Sequence, residues 1–203
     1  MSGPMTDIAP GLADPAHDSQ RLFRAVLEAF SHPGRVVALP QPPAGVGPLS
    51  AAATAFVLTL VDRDTPLWLA PRFDNASVRD FARFHTGAPI VEREAEALFA
   101  LLTPDRAPLL DGFAIGSDPY PDRSATLIVE VPSFAEGPAR RLRGPGIEHH
   151  ATARIAGLPD SFWAEWKANN ALFPCGVDLV FTSGSKLLAL PRSIVAEPEK
   201  GEG

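Results

Sequence analysis

Apolar residues recur at three- and four-residue spacing in three segments of the first half of the chain. This spacing is typical of an amphipathic helix that packs one face on a core. Each segment follows a residue whose side chain can cap a helix N-terminus. The predicted helices are residues 19–31, capped by Ser19 or Asp18, with Leu22, Phe23, Val26, Leu27 and Phe30 on the apolar face; residues 51–61, capped by Ser50; and a segment that starts at Asp74 or Asn75, buries Val78, Phe81 and Phe84, and ends at Thr86-Gly87-Ala88-Pro89.

Shorter apolar runs, partly β-branched, predict strands between these helices and beyond them. These runs are residues 35–39, 66–70, 98–102 and 124–131. Residues 139–142 are predicted to pair with residues 124–131 across a turn at Glu136-Gly137-Pro138. Asp160 is predicted to cap a short helix that carries Phe162, Trp163 and Trp166.

Residues 173–192, FPCGVDLVFTSGSKLLALPR, predict a buried hairpin. Two apolar runs, residues 177–181 and 187–190, flank a turn at residues 183–185, where serine and glycine tolerate turn geometry. Apolar side chains fall on both faces of both runs. The hairpin is therefore expected inside a sheet and not at its edge.

The hairpin contains one acid, Asp178, which needs a partner because an unpaired buried charge is costly. With a three-residue turn, Thr182 faces Lys186 and Asp178 faces Leu190. Arg192 is then the diagonal neighbour of Asp178, within reach of a long side chain. We predict an internal ion pair between Asp178 and Arg192, which depends on this register.

Helical and strand segments interleave along most of the chain, which favours an α/β fold with a mixed sheet and helices on both faces. The 203 residues, 45% of them hydrophobic, are enough to bury the core of one domain. We predict a single domain over residues 16–195. Loose tails are expected at residues 1–15, which mix Gly, Pro and Asp without periodicity, and at residues 196–203.

The formal net charge of −6 argues against a nucleic-acid partner or an anionic membrane surface, because both are polyanions. The lone cysteine, Cys175, cannot form an internal disulfide. The sequence shows neither a signal peptide nor an apolar run long enough to span a bilayer. A reducing cytoplasm is the expected location.

Common catalytic motifs are absent from the sequence, including phosphate-binding loops, the HExxH zinc motif and the GxSxG nucleophile elbow. Ser183 and Lys186 match S-x-x-K, but in a turn they lack the helix that would bring them together. His149 and His150 are adjacent and have no third ligand at metal spacing. Cys175 has no histidine nearby in sequence, so a packed thiol is expected.

Arg83 and His85 lie at the predicted end of the third helix, before Gly87. There the two side chains could together present a cationic site. The favoured interpretation is that they serve as cations that stabilise the carboxyl end of the helix.

Several segments together resemble the PhnH family, which belongs to the bacterial carbon–phosphorus lyase core complex. They occur in order over nearly the whole chain, and the resemblance rests on the collinear set and not on one motif. These segments are Phe23-Arg24, Ser31-His32-Pro33-Gly34, LTLVDRDTPLWL at residues 58–69, RFHTGAP at residues 83–89, SATLIVEV at residues 124–131, LRGPGI at residues 142–147, and FP-x-G-x-D-L and ALPR within residues 173–192.

The resemblance implies a three-layer α/β/α sandwich similar to the pyridoxal-phosphate-dependent transferases, without their cofactor site. The lysines agree with this expectation, because a Schiff-base lysine must point into a pocket beside a pyridinium partner. Lys167 lies on a predicted aromatic-rich helix, Lys186 flanks the hairpin turn, and Lys200 is in a charged segment. No cofactor and no metal are expected.

The resemblance also implies a homodimer that joins the G, I and J subunits in phosphonate catabolism. With the G, I and L subunits, the family is associated with forming α-D-ribose 1-methylphosphonate 5-triphosphate from ATP and methylphosphonate, releasing adenine. A structural or assembly role without catalytic residues of its own is the leading hypothesis. The alternatives are a subunit that grips triphosphate or phosphonate through Arg83, His85 or Arg192, and a free-standing pyridoxal-phosphate enzyme.

Overall fold

A computed structural model of the chain describes residues 8–199. Within this range, four α-helices interleave with twelve β-strands, which confirms the predicted α/β class. The helices are α1 (Pro15–Ser31), α2 (Ala51–Leu60), α3 (Ala76–Thr86) and α4 (Phe162–Ala171). The strands are β1 (Val37–Ala38), β2 (Leu67–Leu69), β3 (Ile90–Val91), β4 (Phe99–Leu102), β5 (Ile115–Ser117), β6 (Tyr120–Ser124), β7 (Thr126–Glu130), β8 (Ala139–Arg143), β9 (Ala151–Arg154), β10 (Asp178–Ser183), β11 (Lys186–Leu190) and β12 (Val195–Pro198).

The first helix begins earlier than the sequence pattern predicts. Asp14 caps it by accepting a hydrogen bond from the backbone N–H of His17 at 3.1 Å, and Pro15 occupies its first position. The predicted caps, Ser19 and Asp18, lie inside the helix. The apolar period misses this first turn because its residues are exposed. Of the predicted tails, residues 1–7 and 200–203 lie outside the described range.

Helices α2 and α3 start where their caps predict. The hydroxyl of Ser50 accepts a hydrogen bond from the N–H of Ala53 at 3.2 Å, and the amide oxygen of Asn75 accepts one from Val78 at 3.1 Å. Gly87 ends α3 with φ of 71°, a left-handed conformation that favours glycine. Helix α4 differs from the prediction, because Ser161 and not Asp160 precedes its first residue.

The central sheet has seven strands in the order β1-β11-β10-β7-β4-β2-β3. Strands β10, β7, β4, β2 and β3 run parallel, and β11 is antiparallel to both of its neighbours. The β10–β11 hairpin therefore lies inside a mixed sheet, as predicted.

The register of this hairpin differs from the prediction by one residue. Ser183 pairs with Lys186, and Thr182 pairs with Leu187. The turn contains two residues and not three, and its first residue, Gly184, has φ of 57°. Glycine at that position is typical of a two-residue type II′ hairpin, a signal that the sequence interpretation missed.

Residues 139–142 do not pair with residues 124–131, contrary to the prediction. Strand β8 instead forms a separate three-stranded antiparallel sheet in the order β12-β8-β9. The physical reason is that β7 already has β10 on one side and β4 on the other, so neither of its edges is free.

Different layers cover the two faces of the central sheet. Phe56 of α2 packs on Phe99 of β4, with ring centroids 6.0 Å apart. Phe162 of α4 packs on Phe181 of β10 at 5.9 Å. The strand registers place Phe99 and Phe181 on opposite faces. Helices α1 and α3 adjoin α2, whereas the small sheet adjoins α4.

Candidate functional site

Arg192 is the centre of a hydrogen-bond network at the amino edge of the parallel strands. Its Nε donates to Oδ1 of Asp178 at 3.1 Å, and Nη2 donates to Oδ2 at 2.5 Å. Nη2 also donates to the hydroxyl of Ser124, and Nη1 donates to the carbonyls of Pro121 at 2.9 Å and Pro174 at 3.4 Å. The side chains of Arg192 and Asp178 are 14% and 19% exposed.

These bonds engage every N–H donor of the guanidinium group, which has five. The backbone N–H of Arg192 also donates to Oδ1 of Asp178, at 2.8 Å. The two residues meet despite the shifted register because Arg192 lies beyond the end of β11 and reaches back across Pro191. An anionic ligand would have to displace one of these acceptors to bind Arg192, so the geometry favours a structural role.

His85 attaches the segment that precedes α1 to helix α3. Its Nε2 donates to the carbonyl of Ala9 at 2.9 Å, and its ring packs against Phe81 and Phe84. A Cβ on Gly11 would lie 2.8 Å from Nδ1 of His85, so a larger residue there would displace the imidazole or the segment. The imidazole is therefore used in packing.

Arg83 is exposed near the end of α3. The structure does not bring Arg83 and Arg192 into one site. Helix α3 follows β2, and β2 is separated from β10 by β4 and β7. The three predicted site residues thus lie in two distinct places.

Two side chains with structural importance were not singled out from the sequence. Asn169, buried on α4, uses its amide to bond both the N–H and the carbonyl of Val177, at 2.8 and 2.9 Å. Glu130, at the end of β7, accepts a hydrogen bond from the N–H of Ser50 at 2.9 Å. Burial raises the pKa of Glu130 above its ordinary value, while the bond from Ser50 opposes that rise. Two features of the sequence could have identified them: Asn169 interrupts the apolar face of a predicted helix, and Glu130 lies near the end of a predicted apolar strand.

Cys175 is buried, and its thiol lies 3.7 Å from a carboxylate oxygen of Asp118. Burial and the charge of Asp118 both raise the pKa of the thiol. A raised pKa lowers the fraction of thiolate, the form that reacts as a nucleophile. The surroundings of Cys175 therefore disfavour a nucleophilic role for its thiol.

His149 and His150 are exposed in the loop before β9, and Nδ1 of His150 lies 3.3 Å from the guanidinium of Arg141. Among residues 8–199, no group of three or more His, Cys, Asp or Glu side chains is arranged to hold a metal ion. No helix in the same range is long and apolar enough to cross a membrane.

Helix α1 exposes large apolar side chains on the side that faces away from the core. Phe23 and Leu27, one turn apart, are 45% and 53% exposed, although the sequence pattern assigned both to the apolar packing face. The helix buries Leu22 and Val26, which the same pattern also assigned to that face. Phe84 of α3, also predicted to be buried, is 69% exposed. We refer to Phe23 and Leu27 as the α1 stripe.

Comparison with known proteins gives one consistent match. The family model described as "Bacterial phosphonate metabolism protein (PhnH)" matches residues 10–197. The alpha-D-ribose 1-methylphosphonate 5-triphosphate synthase subunit PhnH of Rhizobium meliloti (strain 1021) is 42% identical over 188 residues, covering 92% of this chain and 94% of that protein. The putative C-P lyase subunit protein HtxG of Stutzerimonas stutzeri is 35% identical over 176 residues, covering 86% and 83% of the two chains. This chain therefore belongs to the PhnH family of bacterial phosphonate metabolism proteins.

Proposed function

We propose that this chain is a subunit of the carbon–phosphorus lyase core complex and acts mainly in its assembly. The observation that supports this role most is that Arg192 and His85 are held by hydrogen bonds within the chain, whereas the α1 stripe is exposed. Two related proteins bear subunit names, one of a ribose 1-methylphosphonate 5-triphosphate synthase and one of a C-P lyase. The chain thus takes part in the synthesis of α-D-ribose 1-methylphosphonate 5-triphosphate from ATP and methylphosphonate.

The proposed partners are a second copy of the chain and the G, I and J subunits, in the cytoplasm. Co-expression with these subunits followed by size-exclusion chromatography tests the assignment. The expected result is one peak that contains all four chains. A chain that elutes apart from partners that otherwise assemble would contradict the proposal.

The α1 stripe is the proposed contact between two copies. Arg24 and Glu28 are next to Phe23 and Leu27 and have opposite charges. In a two-fold contact, the same patch meets itself, so each positive group can face the negative group of the other copy. Such a patch is self-complementary even though the whole chain has a net charge of −6.

Light scattering of the double variant Phe23→Ser, Leu27→Ser tests this contact. The variant is expected to have the mass of one chain where the wild type has the mass of two. Phe84→Ser is the matched control, because Phe84 is more exposed and lies on another helix. A dimeric double variant, or a monomeric wild type, would reject the contact.

The finer fold assignment, a likeness to the pyridoxal-phosphate-dependent transferases without their cofactor site, is also a proposal. It is supported by a sheet in which one strand, β11, is antiparallel among parallel strands. Lys167 is exposed on α4, Lys186 begins β11, and Lys200 lies outside the described residues. Adding the cofactor should give no imine absorbance, and an absorbance that Lys186→Ala abolishes would contradict the expectation.

A direct contribution to substrate binding is the second candidate function. The exposed guanidinium of Arg83 supports it, whereas His85 is already bonded to Ala9. Arg83→Ala in the assembled complex tests this candidate when assembly and phosphonate turnover are assayed separately. Reduced turnover in an intact complex would favour it, and unchanged turnover would reject it.

A further inference from the structure

A cleft of about 490 Å³ lies at the carboxyl edge of the central sheet, beyond the ends of β7 and β10. In open α/β sheets, ligands bind in the crevice outside the carboxyl ends of parallel strands. One wall is the loop after β7, and the other is the β10–β11 turn with the residue that precedes β1. The lining residues are Val36, Pro132, Ser133, Phe134, Ala135, Ser183, Gly184, Ser185 and Lys186.

The strand register explains why these side chains share one face. Ser183 pairs with Lys186 across the hairpin, so both point to the same side of the sheet. Ala38 pairs with Lys186 on the other edge of β11, and Val36, two residues before Ala38, points to the same side of the sheet. The same turn contains the S-x-x-K segment, whose serine and lysine would share a face on a helix. Here the hairpin pairing brings them together instead.

Lys186 is the one charged residue in the lining, and no carboxylate lines the cleft. None of the ion pairs formed within residues 8–199 involves Lys186. The chain as a whole is acidic, with a net charge of −6. The lining thus carries one positive charge, an ammonium group available to an anion.

Hydroxyl groups and apolar surface complete the site. The Ser133 hydroxyl accepts a hydrogen bond from the N–H of Ala135 at 3.0 Å, which leaves its O–H able to donate. The Ser183 hydroxyl donates to the carbonyl of Pro132 at 3.0 Å. Val36, on one wall, is 39% exposed, and Phe134, on the other wall, is half-buried, so each wall contributes apolar surface to the cleft. A fitting ligand has an anionic head and a small apolar substituent.

We propose that this cleft binds a small organophosphonate or phosphate monoester, with Lys186 and the Ser133 hydroxyl at the anionic oxygens and the substituent against Val36 and Phe134. Methylphosphonate is the smallest ligand that has both parts. This inference rests on the proposed function and names the substrate class that the chain itself would hold.

Calorimetric titration of the full-length chain with methylphosphonate tests the site. Saturable binding is expected, and Lys186→Ala should weaken it about tenfold or more, because a charge-assisted hydrogen bond is lost. Lys186→Arg, which keeps the charge, should retain most of the affinity. Lys167→Ala is the matched control, since it removes an exposed lysine of α4, and its affinity should equal that of the wild type.

Titration with inorganic phosphate separates the contribution of the apolar residues to affinity from that of the Lys186 charge. The wild type should bind methylphosphonate about two to four times more tightly than phosphate, the range expected for one partly buried methyl group. Val36→Ser should abolish that preference and leave phosphate binding unchanged. Circular dichroism establishes that each variant is folded.

No saturable binding to the folded wild type, or equal losses in Lys186→Ala and Lys167→Ala, would overturn the site. Co-elution with partner subunits is measured separately from this titration. If methylphosphonate does not bind but the chain co-elutes with its partners, only the cleft is rejected. If methylphosphonate binds but the chain does not co-elute with its partners, only the assembly role is rejected.

Discussion

Replacing Arg192 with alanine is expected to destabilise the amino edge of the central sheet. The guanidinium bonds the side chain of Asp178, the hydroxyl of Ser124 and the carbonyls of Pro121 and Pro174. It thereby joins the starts of β7 and β10 to the segment between α4 and β10. The variant removes the guanidinium donor from all these acceptors, and Asp178 keeps only its bond from the backbone N–H of residue 192.

The expected loss in the free energy of unfolding follows from the burial of the Arg192–Asp178 ion pair. Removing one partner of a buried ion pair costs about 3–5 kcal/mol, mostly because the remaining charge is uncompensated. Side-chain exposures of 14% and 19% admit some water to Arg192 and Asp178, so we expect a loss of about 3 kcal/mol. Arg192→Lys keeps the charge but cannot reach the same acceptors, and we expect a loss of about 1–2 kcal/mol.

Urea unfolding followed by tryptophan fluorescence measures these losses. Trp166 is a suitable reporter because its indole N–H donates to the carbonyl of Ile194 at 3.0 Å, close to Arg192. A double-mutant cycle with Asp178→Asn should give a coupling of about 1–3 kcal/mol. An Arg192→Ala variant within about 0.5 kcal/mol of wild type, the range of ordinary surface substitutions, would refute the reasoning. So would Asp178→Asn that leaves stability intact yet abolishes phosphonate turnover.

Three further perturbations have definite expected outcomes. Gly146→Ala and Gly184→Ala both place a side chain at positive φ, which costs about 1–2 kcal/mol. The Gly146 variant should lose about 1–3 kcal/mol more, because its Cβ would overlap a backbone carbonyl of α1 whereas that of Gly184 meets nothing within 4 Å; equal melting temperatures would contradict this. The raised pKa of Glu130 means that its carboxyl contributes stability that is present below the unfolded-state pKa and is lost as pH rises through the folded-state pKa. Glu130→Gln should therefore gain stability relative to wild type between acid and neutral pH, and a pH-independent difference in urea midpoints would refute the cause. Asp118→Asn should accelerate alkylation of Cys175 at mildly alkaline pH, because it removes a charge that raises the thiol pKa; an unchanged rate would show that burial alone protects the thiol.

Local signals predicted the elements better than their pairing. The caps Ser50 and Asn75 and the stop at Gly87 act within a few residues, so the sequence alone reveals them. The pairing of β8 could not be predicted, because it depends on β4 and β10 occupying both edges of β7. That competition involves segments distant in sequence.

Asp178 and Arg192 form the predicted ion pair, but not through the predicted geometry. The expected diagonal geometry depends on a three-residue turn, whereas the structure has two residues in the turn. A largely buried carboxylate at the start of a strand needs a cation whatever the register of the hairpin, so the need for a partner was predictable although the geometry was not.

Helical periodicity could not show that Phe23 and Leu27 are exposed on the surface. Both residues fit an apolar face when read alone, and only the packing of α1 on α2 and β11 decides which side is buried. A partner surface and a core face have the same apolar signature in sequence.

Some segments that identify the family form packing junctions. A Cβ on Gly146, in the LRGPGI segment, would meet the carbonyl of Ser31 and the ring of Pro33 in the SHPG segment. A Cβ on Gly34 would in turn meet Leu142 at 2.6 Å. The two motifs therefore fix the end of α1 against the small sheet, which explains their composition without catalysis.

Adenine release from ATP and methylphosphonate by the reconstituted complex, with and without this chain, measures what the chain contributes to the complex. Little release is expected when the chain is omitted, full release when either wild type or His85→Ala is added, and none from the chain alone. Full turnover by the partner subunits in the absence of the chain, or turnover by the chain alone, would contradict the proposed assembly role.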